Sequence, residues 1–239
     1  MDGYGGVYAR GNAIALVQGY GLGEFYGYIA DGVDPATGHQ LYVSKSKTPT
    51  DNPVPSDRAL IGSAQPKFVY GLTNNLSWKN FDLTVFIQGS QGNKIFNAGR
   101  LEAEAMVNSA NQSAAVLARW KQPGDVTNIP GVSTNSSTNN SLISTRFLED
   151  GSYLRFKTIT LSYRFDPKLL SAIGLSAATI YVSGNNLITV TKYKGFDPEV
   201  NSYGTSNNSN EDRNISLGLD NGAYPQSKMF LFWVNISLK

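Results

Sequence analysis

Residues 68–89 alternate apolar and polar side chains in two consecutive runs, with only two residues between them. In the first run Phe68, Tyr70, Leu72, Leu76 and Trp78 share one parity, against Val69, Gly71, Thr73, Asn75 and Ser77. In the second, Phe81, Leu83, Val85 and Ile87 stand against Asp82, Thr84, Phe86 and Gln88. Successive side chains of a strand point to opposite faces, so each run makes a strand with one greasy and one mainly polar face. Asn74 is the single polar residue on the greasy face. The Lys79-Asn80 link reads as a tight hairpin. Such a sheet must turn its apolar face to a second layer or to lipid, and this choice governs every functional reading of the chain.

The same pattern recurs further on. Leu154 and Phe156 share one parity, while Ile159, Leu161, Tyr163 and Phe165 share the other, with the switch near Lys157-Thr158. Either a β-bulge absorbs the switch and keeps one apolar face, or the outer end of the strand runs beyond the zone where a phase is enforced. Asp166-Pro167 ends this strand, Lys168 to Ile173 read as one helical turn, and Gly174 punctuates it before Ala178, Ile180 and Val182 resume the alternation. In the last strand Phe230, Phe232, Val234, Ile236 and Leu238 share a face, although Met229, Leu231 and Trp233 opposite them are apolar too. Aromatic residues recur near the expected strand ends at Trp78, Phe81, Tyr163, Phe165 and Tyr224, as at a membrane interface. The count is six or seven strands.

Connections between these strands are unequal. The turns at 79–80 and 166–174 are short, whereas 34–65, 90–145 and 187–225 are long. Transmembrane barrels have short periplasmic turns and long outer loops, so the inequality assigns sidedness. Within the second loop Ala103, Met106, Val107, Ala110, Ala114 and Leu117 recur at helical spacing, which predicts a helix over 100–120, stopped by Pro123-Gly124. Residues 133–141 form a flexible Ser/Thr/Asn tract.

Composition narrows the chemistry. Twenty basic against 18 acidic residues leave no electrostatic footprint for nucleic acid. No cysteine is present, which removes disulfides and thiolate chemistry, and the single histidine, His39, cannot build a metal site alone. No stretch approaches the ~20 apolar residues of a membrane helix. Residues 1–10 lack the pattern of a signal peptide, so the chain is expected to be truncated or to begin inside a longer parent. Gly19-Tyr20-Gly21-Leu22-Gly23 precedes no helix pattern and reads as a turn, not a phosphate loop.

A series of short phrases, in order, carries a family resemblance. They are Gly23-Glu24-Phe25-Tyr26-Gly27-Tyr28 with Asp31-Gly32-Val33-Asp34-Pro35, and Ile61-Gly62-Ser63-Ala64-Gln65-Pro66-Lys67-Phe68-Val69-Tyr70-Gly71. Lys79-Asn80-Phe81-Asp82-Leu83, Arg119-Trp120 with Pro123-Gly124-Asp125, and Glu149-Asp150-Gly151-Ser152-Tyr153-Leu154-Arg155 follow. Asn185-Asn186-Leu187, Tyr193-Lys194-Gly195-Phe196-Asp197-Pro198-Glu199 and Gly222-Ala223-Tyr224-Pro225 complete the series. From about Gly19 onward the chain resembles the C-terminal barrel region of SusC/RagA family TonB-linked outer-membrane proteins. It departs from the family in ending on Leu238 and Lys239 where an aromatic is usual. It also carries Ser44-Lys45-Ser46-Lys47-Thr48-Pro49-Thr50-Asp51 where many relatives have an acidic stretch, so no calcium site is expected there.

The resemblance implies an all-β fold: an antiparallel transmembrane β-barrel segment, partial and open, with long extracellular loops, one of them containing a helix. All of residues 1–239 would be the C-terminal part of a receptor barrel of roughly 22 strands, its plug and N-terminal strands absent. The function implied is TonB-dependent import of a glycan or peptide across the bacterial outer membrane. The expected partners are a SusD-like lipoprotein, TonB acting through the absent N-terminal part, and the lipid bilayer. No enzyme activity, cofactor or metal is expected. Two alternatives remain open at this point: a soluble secreted β-sandwich for carbohydrate binding or adhesion, and an iron-chelate receptor of the same architecture. Ligand contact is expected from the loops, through Trp120, Tyr193, Phe196, Tyr203 and Tyr224 with Asp197 and Glu199. Aromatic rings stack on sugars, and carboxylates pair with hydroxyls. Asp197 and Glu199, separated only by Pro198, read as a turn and not as a glycosidase pair.

Overall fold

The computed structural model describes residues 13–107, 109–133, 139–200 and 217–239. In chain order the strands are β1 (Ile14–Ala15), β2 (Glu24–Gly27), β3 (Ala30–Val33), β4 (Gln40–Val43), β5 (Pro49–Thr50), β6 (Ala59–Ser63) and β7 (Phe68–Trp78). They continue with β8 (Phe81–Gln91), β9 (Lys94–Asn97), β10 (Leu148–Asp150), β11 (Tyr153–Arg164), β12 (Leu175–Thr191), β13 (Leu219–Asp220) and β14 (Met229–Leu238). Two short helices, α1 (Ala98–Glu104) and α2 (Pro167–Ser171), accompany them. The chain forms two units. One comprises residues 67–91, 152–192 and 225–239, and the other comprises 1–66, 92–151 and 193–224.

The first unit is a single antiparallel sheet in the order β14-β12-β11-β8-β7. Its strands are the segments read from alternation, and cross-strand register carries that alternation across the sheet. Leu76, Leu83, Leu161, Val182 and Phe232 line up in one row, and Leu72, Ile87, Phe156 and Ile188 in another. The phase switch at Lys157 is a bulge. β11 shifts register between Phe156 and Thr158 against both neighbours, which returns Leu154 and Phe156 to the face of Ile159 and Leu161. Against β12, Asn186 and Leu187 oppose the single Lys157, with Asn186 at φ 53°. The hairpin from β7 to β8 closes from Trp78 to Phe81, and Lys79 supplies the positive φ of 54° that the turn needs. At the second short turn Asp166 caps α2 by accepting from the Lys168 N–H at 2.9 Å.

The second unit contains three small sheets, β1-β2-β6, β3-β4-β5 and β10-β9-β13. Its core packs Ala13, Ile14, Phe25, Phe96, Ala98, Phe147 and Leu219, with Phe25 and Phe147 fully buried. Five long strands make the wall. The wall thus holds five strands where six or seven were expected, and the short strands β2 and β6 pair in this second unit. Their runs are only four and five residues, and a bulge between Phe25 and Tyr26 interrupts them.

The helix expected over 100–120 is corrected to two short pieces. Asn97 caps α1 by accepting from the Arg100 N–H at 2.9 Å, and the helix stops at Ala105, because the buried Met106 sits at φ 53°. Ser113 then caps a separate 3-10 turn, Ala114–Ala118. The apolar residues the two pieces bury, Ala98 in α1 and Val116 in the turn, lie outside the expected spacing, while Leu117 within it is exposed. Of the polar tract 133–141, residues 134–138 lie outside the described residues.

A two-faced wall and a charged loop cavity as the candidate functional site

Both faces of the five-stranded sheet carry chemistry. On the apolar face Leu72, Leu76, Ile188, Val190, Phe230, Val234, Ile236 and Leu238 are exposed, and Phe232 retains 73% of its surface. A soluble sandwich buries the inner faces of its sheets, so this exposure sets the sandwich alternative aside. Exposed apolar area this extensive marks a surface made to meet something apolar. At the end bearing the short turns it is bordered by a chain of rings. Trp78 stacks on Phe81 at 6.4 Å between centroids, Phe81 meets Tyr163 at 4.7 Å, and Tyr163 meets Phe165 edge-on at 5.1 Å. Lys79 places its ammonium 4.7 Å from the Trp78 ring centre. Amphipathic rings and a lysine in one row form the aromatic girdle of a membrane interface.

The opposite face pairs polar groups from strand to strand. The Ser77 hydroxyl donates to Asp82 at 2.6 Å, and the Thr84 hydroxyl donates to Asn75 at 2.8 Å. Thr160 and Ser183 share a hydrogen bond of 2.8 Å, and the buried Arg155 Nε donates to Thr189 at 2.9 Å. Beside them Tyr181 and Trp233 stack in parallel at 4.8 Å, which gives the one tryptophan of β14 a partner on this face.

The seven loop candidates from the sequence have different fates. Trp120 makes packing contacts within the loops. Its indole N–H donates to the Pro35 carbonyl at 2.9 Å, and its ring lies so close to Gly38 that a Cβ there would overlap it. Tyr193 is buried, and its hydroxyl donates to Asp220. Burial and the Asp220 carboxylate together raise its pKa well above the ordinary phenol value. Asp220 in turn accepts from the Gly222 and Ala223 N–H groups at 2.8 Å each, which fixes the turn before Tyr224. Asp197 is buried and accepts from the Glu199 N–H at 2.9 Å, the turn expected of this pair. Phe196 and Tyr224 are exposed, at 76% and 89%. Tyr203 lies outside the described residues.

A cavity of about 420 Å³ in the second unit was not foreseen. Its lining includes Gln40, Arg100, Glu104, Asn128, Arg146 and Lys194. α1 positions two of these, because its i,i+4 spacing brings the Arg100 Nε to Glu104 at 2.8 Å. Arg100 also reaches Glu149 at 2.7 Å, and both carboxylates raise its pKa. Arg146, with only 7% of its side chain exposed, lies 3.8 Å from the Glu104 carboxylate. Its guanidinium also donates to the Gln40 side-chain oxygen at 3.4 Å and to the Glu104 carbonyl at 3.3 Å. Burial lowers its pKa to about 10, an effect Glu104 offsets only in part. The Arg100/Glu104 pair was legible in the sequence as helix spacing. Arg146 and Lys194 come from distant segments with no local signal.

No family model matches the chain. Among curated proteins, TonB-dependent receptor P3 of Formosa agariphila is 32% identical, covering 92% of this chain and 22% of that protein. TonB-dependent receptor SusC of Bacteroides thetaiotaomicron is 27% identical over 70% of the chain and 14% of its own length. Among solved structures, the RagAB peptide importer in its closed-closed state matches with a TM-score of 0.80 at 25% identity. That match covers 97% of this chain and 25% of the other. The chain thus spans about a fifth of the length of the curated relatives it matches. With its apolar outer face, its polar inner face and its interfacial rings, the chain belongs to the SusC/RagA family of TonB-dependent receptors, as a section of transmembrane β-barrel wall in the bacterial outer membrane.

Proposed function

We propose that this chain is the C-terminal wall section of a TonB-dependent importer that carries glycans or peptides. In this reading a SusD-like surface lipoprotein captures the ligand, and TonB acts on a plug belonging to the rest of the receptor. The section itself is not catalytic: its strands contact lipid and line the passage, and its loops meet ligand or lipoprotein. One observation carries the reading, namely a single sheet that is exposed and apolar on one face and hydrogen-bonded and polar on the other. Lipid is the environment that accepts the first face without a second protein layer, and an aqueous passage accepts the second. Support for peptide cargo comes from the RagAB structures, which are of a peptide importer, and support for TonB dependence from SusC, a TonB-dependent receptor.

The test uses the full-length receptor, tagged and isolated from outer membranes. A surface lipoprotein, identified by mass spectrometry, is expected to co-purify with a bound glycan or peptide. Uptake of that cargo is expected to stop when TonB is deleted. Uptake that survives TonB deletion refutes the importer reading, and a chelated metal as cargo replaces the substrate class with an iron chelate.

A further inference from the structure

We propose that the loop cavity between Arg146 and Lys194 receives a carboxylate of the imported ligand. The inference deepens the importer reading and rests on it. Three cations, Arg100, Arg146 and Lys194, line this cavity against one carboxylate, Glu104. Counting Glu149 as well, which binds Arg100 from beside it, the cluster still carries one uncompensated positive charge. Arg100 is fully engaged: its Nε and one terminal nitrogen hold Glu104 at 2.8 and 3.0 Å, and the other terminal nitrogen holds Glu149 at 2.7 Å.

Arg146 is not so served. Its contacts to Gln40, the Glu104 carbonyl and the Glu104 carboxylate run from 3.3 to 3.8 Å, longer than a charge-assisted bond at its usual ~2.7–2.9 Å. The guanidinium is held over the Phe147 ring at 4.9 Å, so it is fixed in place but incompletely neutralised. Burial has already weakened its hold on its proton, which is the signature of a buried cation short of negative charge. At the rim, the Lys194 ammonium and the Asn128 side-chain amide make no hydrogen bond or ion pair among the described residues. Glu149 fixes the backbone beneath Lys194 by accepting from its N–H at 2.8 Å, so the lysine stem starts from a held position.

Among the described residues the lining contains no aromatic ring, so they offer no platform for stacking a sugar face. What it offers is donors: an ammonium, an amide and an under-satisfied guanidinium. The group that satisfies all three is a carboxylate, which accepts through two oxygens and restores charge balance. Its source is either a peptide, through its C-terminus or an acidic side chain, or a uronic acid.

The experiment measures binding to the full-length receptor in detergent. The probes are trialanine with a free C-terminus, its C-terminal amide, and digalacturonate. The free acid is expected to bind at least about tenfold tighter than the amide, the difference one charge-assisted hydrogen bond makes. K194E and N128L, both at the rim, are expected to abolish that preference while the receptor still assembles and retains its lipoprotein. Digalacturonate binding with the same dependence keeps the carboxylate site and assigns its source to an acidic sugar. Equal binding of acid and amide, or a preference that survives both substitutions, overturns the inference. A receptor that retains lipoprotein and TonB-dependent uptake but shows no carboxylate preference defeats this inference alone. Loss of TonB dependence defeats the importer reading instead.

Discussion

Arginine at position 85 and arginine at position 84 are expected to have unequal effects, although the two residues are neighbours. Val85 lies four residues from Phe81 in β8, on the apolar face, opposite Asn74 in β7 and Ile159 in β11. With a rise of ~3.4 Å per residue and a strand tilt of ~40°, it sits about 10 Å inside the ring level marked by Phe81. Half of an apolar band ~25 Å tall is ~12 Å, so Val85 is near the bilayer midplane. Arginine there costs about 2–4 kcal/mol. The Asn74 amide directly across supplies one hydrogen-bond partner, which favours the lower half of that range. Thr84 faces the other way, beside Asn75 and Thr160. Replacing it forfeits the 2.8 Å bond to Asn75, about 1 kcal/mol, among polar neighbours that accept a guanidinium. The gap between the variants is therefore about 1–2 kcal/mol, a factor of roughly 5–30 in the folded-to-unfolded ratio. Urea unfolding of the full-length receptor in lipid vesicles reads it directly. Equal losses, or a larger loss for Thr84→Arg, would refute the assignment of faces.

Four further expectations follow from local contacts. Gly89→Ala drives a methyl group into the Tyr70 ring and to 2.6 Å from the Tyr153 carbonyl, so it should cost about 1–3 kcal/mol in the same unfolding assay. Gly71→Ala, whose nearest neighbour is the edge of Phe86 at 3.3 Å, should cost less. Tyr193→Phe leaves the buried Asp220 without its hydroxyl donor and should destabilise the 217–224 turn by about 1–3 kcal/mol. Hydrogen exchange confined to that turn checks this, and unchanged protection there would count against it. Asp34 is held below the usual carboxylate range, first by the Ala36 N–H at 2.9 Å and then by the Thr37 hydroxyl at 2.7 Å. Its pKa is depressed in the folded state, so its stabilisation of the Asp34 to His39 turn is present above the ordinary carboxylate pKa. That contribution is lost as pH falls through the lowered value, below about 4. The Ala36 amide shift, followed by titration, should move only in that acid range.

Where a feature depends on neighbours in the chain, the residues announced it. Two rows of alternating side chains gave β7 and β8, and the change of phase at Lys157 raised a bulge as one of two readings. The paired registers on both sides of β11 then selected the bulge. The helix over 100–120 failed because apolar spacing does not register a backbone reversal. Met106 adopts φ 53° and is buried, a conformation its own side chain does not signal. Trp120 was expected to reach ligand because tryptophan in a loop is a good stacking surface. In the structure its ring packs on Gly38 and Gly131, residues whose missing side chains make room for it.

The sequence by itself settled that this protein is a sheet with unlike faces, and from the order of its short phrases it pointed to the family. Alternation is written residue by residue, and each strand of the wall obeys it independently. Tertiary structure alone decided which charges meet. Arg100 joins Glu149, 49 positions away, while Arg146 enters the same cavity short of a counter-charge beside Lys194. Such meetings depend on how long loops fold back on one another, and electrostatic energy follows distance in space, not position along the chain.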